Sequence, residues 1–194
     1  GVIVALSGTG NVQLARGDYP AALELFQQAL KLTEATAEKA FLANLHNSVC
    51  AVQQRLGNSD AAIEHCQQSL ALAEAAGNKE VAARTLNNLG IISRQRGNHE
   101  QALEFYRRSL AVYETLDDKR GTARLLNNLG VAHNAMGDAT AALRYYLRSL
   151  PIAEEIGNKA GVAGTHNNVS MIYRALGNYK LALEYSQRSL ALSE

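Results

Sequence analysis

The chain of 194 residues has no tryptophan, two prolines, two cysteines and a net charge of only +1. Each scarcity excludes something. So little proline leaves helices uninterrupted, and abundant Ala, Leu, Glu, Gln and Arg favour them. A near-zero charge offers no general attraction for nucleic acid or a membrane surface. No apolar run approaches the about 18 residues of a membrane span, and Val2–Leu6 lacks the length and basic leader of a signal peptide. Cys50 and Cys66 are too few for a secreted disulfide framework and read as buried free thiols in a reduced, cytoplasmic setting. Apolar residues at 47% and charged residues at 19% support a sizeable core rather than disorder.

What is present is a repeat. Gly17, Gly57, Gly97, Gly137 and Gly177 stand forty apart, each followed five residues on by Ala22, Ala62, Ala102, Ala142 or Ala182. Leu30, Leu70, Leu110, Leu150 and Leu190 keep the same register. Five copies without an insertion make a solenoid of units at about 1–38, 39–78, 79–118, 119–158 and 159–194. Each unit reads as two helices, the first over about Lys79–Arg96 and the second over about His99–Leu116 in the third copy. The turn between them is Gly-Asp or Gly-Asn: glycine takes the left-handed conformation that ends one helix, and Asp or Asn caps the next. Pro151, inside a second helix, is expected to remove a hydrogen bond to Leu147 and kink or loosen it. The chain begins and ends within helical pattern, so it reads as a piece of a longer protein.

The sequence Leu89-Gly90, Gly97, Ala102, Tyr106 and Ser109 resembles the tetratricopeptide repeat, in a long-unit form like that of Pins/LGN scaffolds, kinesin light chains and bacterial regulatory arrays. The resemblance spans the whole chain. It implies an all-α, right-handed superhelical solenoid of antiparallel helix pairs, with the first helix of each unit lining a concave groove. Gln13, Gln53, Ser93 and His133 depart from the aromatic often found after the small residue; Tyr173 fits.

Chemistry is hard to find. Gly8-Thr9-Gly10 lacks the third glycine of a nucleotide-binding loop and falls in the register of a helix. The five histidines show no metal-ligand spacing, and no nucleophile motif or recurring carboxylate pair appears. No enzyme, cofactor or metal is therefore expected.

The first helices do carry a pattern. The stripe that the resemblance places in the groove contains Arg55, Arg84, Arg94, Arg124 and Arg174 and no acid. It also carries two asparagine columns: Asn47, Asn87, Asn127 and Asn167, then Asn88, Asn128 and Asn168, with Asn134 further along. Each asparagine in a helix interior costs roughly 0.5–0.7 kcal/mol against alanine, so their recurrence calls for a reason. An amide both donates and accepts, which lets it pair with a peptide backbone whatever its sequence. In the resembling families the asparagine before Leu-Gly does this, which implies Asn88, Asn128 and Asn168 as ligand contacts; the first column instead suits bonding across the stack. Arginines hold carboxylates bidentately. The expected function is a non-catalytic scaffold binding an extended or helical, acidic segment of a partner protein, with no nucleic-acid or membrane partner. The alternative is a regulatory or sensor segment that self-associates through uncapped apolar ends carrying Leu183, Leu190 and Leu192.

Overall fold

The computed structural model describes residues 1–33 and 39–192. Among them are ten helices and no strand: α1 (Val2–Arg16), α2 (Tyr19–Thr33), α3 (Lys39–Arg55), α4 (Ser59–Ala75) and α5 (Lys79–Gln95). Then follow α6 (His99–Thr115), α7 (Lys119–Ala135), α8 (Ala139–Glu155), α9 (Lys159–Ala175) and α10 (Tyr179–Ala191). Gly8 and Gly10 lie inside α1, so the nucleotide-loop alternative is gone. The unit boundary expected at residue 38 falls outside the described residues. The chain divides into two compact units, Gly1–Arg96 with α1–α5 and Gly97–Glu194 with α6–α10.

The turns follow from their residues. Gly17, Gly57, Gly97, Gly137 and Gly177 have φ between 76° and 82°, a region open to glycine and strained for other residues. Asp117 takes the same left-handed turn without being glycine, at φ 52°. The residue after each turn glycine serves two helices. In Asp138 the backbone N–H closes α7 on the His133 carbonyl, while the side chain accepts from Ala141 N–H at 2.9 Å and caps α8. The expected caps are not universal: the Asn58 and Asn98 side chains make no cap bond, and Asn58 Nδ2 donates instead to Gln53. Pro151 does not interrupt α8, which runs unbroken from Ala139 to Glu155. Pro151 and Leu147 are both exposed, where water can serve the carbonyl that loses its partner.

Within each compact unit, paired helices cross at one recurring pair of positions, sixteen residues apart, and the crossing is filled in three ways. Gly10 admits the Phe26 ring, which would lie 2.7 Å from an added Cβ, and Gly130 admits Tyr146 in the same manner at 2.5 Å. Ser170 and Ser186 meet hydroxyl to hydroxyl at 2.7 Å. Cys50 and Cys66 form a disulfide with their Cα atoms 5.3 Å apart. This corrects the expectation of free thiols: in this register the two side chains face one another at bonding reach. A second seam recurs beside the crossing. Ser69, Ser149 and Ser189 hydroxyls donate to the Ala43, Ala123 and Ala163 carbonyls at 2.8, 3.2 and 2.9 Å. In residues 1–96 one apolar layer joins Phe26, Ala29 and Leu30 of α2 to Leu45, Val49 and Val52 of α3. In residues 97–194 one layer joins Ala142 and Tyr146 of α8 to Val169 and Ile172 of α9.

Candidate functional site

The asparagine columns turn out to be coupled. Asn88 Nδ2 donates to Asn47 Oδ1 at 3.0 Å, from α5 to α3. Asn168 Nδ2 donates to Asn127 Oδ1 at 3.3 Å, from α9 to α7, so the second column reaches back to the first in each unit. The Thr85 and Thr165 hydroxyls stand 3.2 and 3.4 Å from the same two oxygens. Of the first column, Asn47 and Asn127 thus accept bonds across the stack, whereas Asn167 is exposed and its Nδ2 reaches Met171 Sδ on its own helix at 3.9 Å. Asn88 and Asn168 each commit one amide hydrogen to that stack; their chemistry still includes a second N–H and a carbonyl oxygen.

Around this shared frame the two units differ. In residues 1–96, Val81 is buried, and Arg84 donates to Asn44 Oδ1 at 2.5 Å with Glu80 3.6 Å away. The Arg84 side chain thus reaches from α5 to α3, and its charge is locally compensated. In residues 97–194 the corresponding positions are Ala160, Gly161 and Gly164, and those corresponding to Ala40 and Asn44 are Arg120 and Arg124. The result is a cavity of about 520 Å³ on α7, α8 and α9, within the size range of ligand sites. Its lining includes Arg120, Arg124, Asn127, Asn158, Asn167 and Asn168, and no carboxylate.

Two details sharpen the site. Arg124 Nη2 donates to the Tyr113 hydroxyl at 2.9 Å and its guanidinium lies 5.6 Å from that ring's centre, which holds one end of its donor fork in place. Gly164 has nothing within 4 Å of where a Cβ would stand, so packing does not require glycine there. A glycine in a helix interior is about 0.8–1.0 kcal/mol less favourable than alanine. Gly161 differs: a Cβ would stand 2.3 Å from Asn158 Nδ2, and its N–H donates to Asn158 Oδ1 at 3.0 Å.

Of the residues singled out from sequence, the structure brings Arg124, Asn127, Asn167 and Asn168 to one cavity. Asn47, Arg84 and Asn88 sit together on the α3/α5 face, and Asn87 is buried beside them at 6% exposure. Asn128 is half-buried and Asn134 exposed, both on α7 outside the cavity lining. Arg94 and Arg174 stand in the last turns of α5 and α9, where a cation also suits the helix dipole. Sequence reasoning missed Arg120 and Asn158. The available signal for Arg120 was a change of sign, since Glu80 occupies its place in the preceding copy. A second cavity of about 500 Å³ in residues 97–194 is lined by His166, Arg188 and Leu192 among others. His166 Nδ1 is buried without a hydrogen-bond partner, and burial followed by the nearby Arg188 pushes its pKa below the usual histidine value. No helix among the described residues is long and apolar enough to cross a membrane.

Comparison with known proteins bears on the fold. The tetratricopeptide repeat model matches residues 41–115 and 121–194, and a second model of the same repeat matches residues 5–40. Among solved structures, BtubC (BKLC) from P. vanneervenii superposes with TM-score 0.83 at 24% identity, over 97% of this chain and 78% of that one. A Rap protein complexed with competence and sporulation factor gives 0.88 at 17% identity, over 97% of this chain and 53% of that one. The repeats of a putative kinesin light chain from Podosopora anserina give 0.77 at 16%, over 98% of this chain and 94% of that one. No curated relative matches the sequence.

Proposed function

The chain belongs to the tetratricopeptide repeat family, and from that premise we propose that it is a non-catalytic interaction scaffold for an extended, acidic segment of a partner protein. The observation that carries this reading is the cavity on α7, α8 and α9, with Arg120 and Arg124 beside amides and no acid in its lining. Arginine pairs with a carboxylate through two parallel N–H donors, and Asn167 and Asn168 offer amide groups to a backbone. The second column of asparagines serves both stack and ligand in this reading, one hydrogen inward and the remaining groups outward. On the α3/α5 face, Arg84 is already engaged by Asn44 and Glu80, so that face contributes less. A likeness to the Rap protein is compatible with a regulatory role, but at 17% identity it speaks for the fold alone.

The test is binding of an acidic peptide library to the wild-type chain and to Arg124→Ala combined with Asn168→Ala, both in the cavity lining. The double variant should bind at least tenfold more weakly, about 1.4 kcal/mol. Equal binding by the two proteins would remove the groove assignment.

A second reading, self-association, draws on α10. Tyr179, Leu183 and Leu190 are 71%, 61% and 62% exposed, a cluster of large apolar side chains on one terminal helix. Sedimentation across a hundredfold concentration range would show a rising mass if it operates; a constant monomer mass would eliminate it.

A further inference from the structure

We propose that the cavity on α7, α8 and α9 receives an aromatic side chain of the partner segment, with a neighbouring carboxylate of that segment held by Arg120 and Arg124. This deepens the groove reading and rests on it.

The molecule contains its own template. One repeat earlier in the same unit, Tyr113, Gly121 and Arg124 form a set: an added Cβ at Gly121 would stand 2.3 Å from the Tyr113 ring, and Arg124 donates to that ring's hydroxyl. Forty residues on, the same three positions are Ala153, Gly161 and Gly164. The ring and the guanidinium are both missing, and all three residues border the cavity. The shape that remains is one that this fold fills with a phenol beside a guanidinium elsewhere in residues 97–194.

Charge selects what accompanies the ring. Arg124 is anchored at one end by Tyr113, which leaves the rest of its donor fork for a ligand. Arg120 lines the same cavity and the lining has no acid, so a carboxylate enters a site with two uncompensated cations. Gly164 supplies the third argument. Packing does not require it and an arginine stands in its place in α5 and α7, so its effect is to keep the cavity open. A ring without charge would leave the arginines unanswered, and a carboxylate without a ring would leave the space unfilled.

The experiment uses the full chain and three probes: acetyl-Glu-Glu-Tyr-Glu-Glu-amide, the same peptide with Tyr replaced by Ala, and free 4-hydroxyphenylacetate. Two variants close the cavity by copying solutions the protein already uses, Ala153→Tyr after Tyr113 and Gly164→Arg after Arg84. Calorimetric titration should find the tyrosine peptide at least tenfold tighter than the alanine peptide on the wild type. In each variant the tyrosine and alanine peptides should bind with equal affinity; the ratio is the readout, because Gly164→Arg adds a cation to the cavity lining that strengthens both. Circular dichroism checks folding, and Gly164→Arg decides if Ala153→Tyr does not fold. Equal affinity of the two peptides overturns the aromatic assignment but leaves the acidic groove standing. A tyrosine preference that survives both variants places the ring elsewhere and also overturns it. Tighter binding of 4-hydroxyphenylacetate than of the tyrosine peptide overturns the partner-segment source. Failure of all three probes to bind sinks this inference and the groove reading together.

Discussion

The α3/α5 face in residues 1–96 and the α7/α9 face in residues 97–194 share a frame and differ in what fills it. Both have an asparagine reaching back forty-one residues to another asparagine, and both have a threonine beside the accepting oxygen. In the first, Val81 and Arg84 occupy the space and Glu80 answers the charge. In the second, glycines stand at the equivalent places and two arginines face a cavity. Framework and filling are therefore separable. Hydrogen bonds between repeated register positions hold neighbouring first helices together, and that leaves adjacent positions free to become wall or opening. The separation makes testable claims about which positions carry stability.

The largest effect is expected at the crossing that residues 1–96 fill with a disulfide. Cys50 and Cys66 are sixteen residues apart, and closing a loop of about that length contributes on the order of 3 kcal/mol. Cys50→Ser with Cys66→Ser copies the Ser170–Ser186 pair found at the same crossing in α9 and α10. Chemical denaturation should show the helical fold kept and stability lowered by about 3 kcal/mol. An unchanged midpoint would mean that the disulfide constrains nothing the packing does not already fix.

At the same crossing in residues 97–194 the critical residue is Gly130. A methyl there would meet the Tyr146 ring at 2.5 Å, and Tyr146 is almost fully buried with little room to yield. Overpacking of this kind costs about 1–3 kcal/mol, against a gain of about 1 kcal/mol from alanine's helix propensity. Gly130→Ala should therefore be destabilising by about 1 kcal/mol net, and by no more than about 2 kcal/mol, in thermal melts. A neutral or stabilising result would show that the crossing can widen, and that the small residue is there for another reason.

The two asparagine pairs should respond unequally. Asn47 is 8% exposed and Thr85 fully buried, and removing the Asn47 oxygen takes away an acceptor that Asn88 Nδ2 and Thr85 Oγ1 share. The loss of about 1–3 kcal/mol is offset by roughly 0.6 kcal/mol of helix propensity, so Asn47→Ala should lower stability by about 1 kcal/mol net. Asn127 is half-buried, its bond is longer at 3.3 Å, and it borders the cavity, where water can replace it. Asn127→Ala should be close to neutral for stability and should weaken acidic-peptide binding instead. Equal destabilisation by the two would break the distinction between framework and site.

The fold was legible because it depends on local chemistry repeated in register. Glycine at a left-handed turn, followed by Asp or Asn, predicted the end of α5 to within a residue, at Gln95, and Asp117-Asp118 did the same for α6, at Thr115. The disulfide was not read, although the crossing column shows small residues facing large ones and, once, Cys facing Cys. Recognising it requires comparing positions sixteen apart as partners in volume, which helix periodicity does not reveal. The site was half legible. Arginines and asparagines on one helix face follow from spacing, but which of them are engaged depends on reach between helices. Arg84 and Arg124 occupy equivalent positions, yet one bonds to Asn44 and the other to Tyr113 beside an open space. The long, flexible arginine side chain chooses partners that the backbone register leaves open.

The smallest effect falls on Gly164, and its sign matters more than its size. Most substitutions of glycine in this chain meet either a positive φ or a neighbouring atom, as at Gly137, Gly121 and Gly130. At Gly164 a methyl meets nothing within 4 Å and the backbone is helical. Gly164→Ala should therefore raise stability by about 0.8–1.0 kcal/mol through backbone propensity alone. A gain at this position, with a loss at Gly130, would show that one glycine serves packing and the other does not. Gly164→Ala and Gly164→Arg form a graded pair in the binding assay, since alanine narrows the cavity slightly and arginine spans it. The preference for the tyrosine peptide over the alanine peptide should fall in that order while stability does not. A preference that rises along the same series would mean that the opening works against binding of the ring, and that the α3/α5 face is the better guide to where a partner docks.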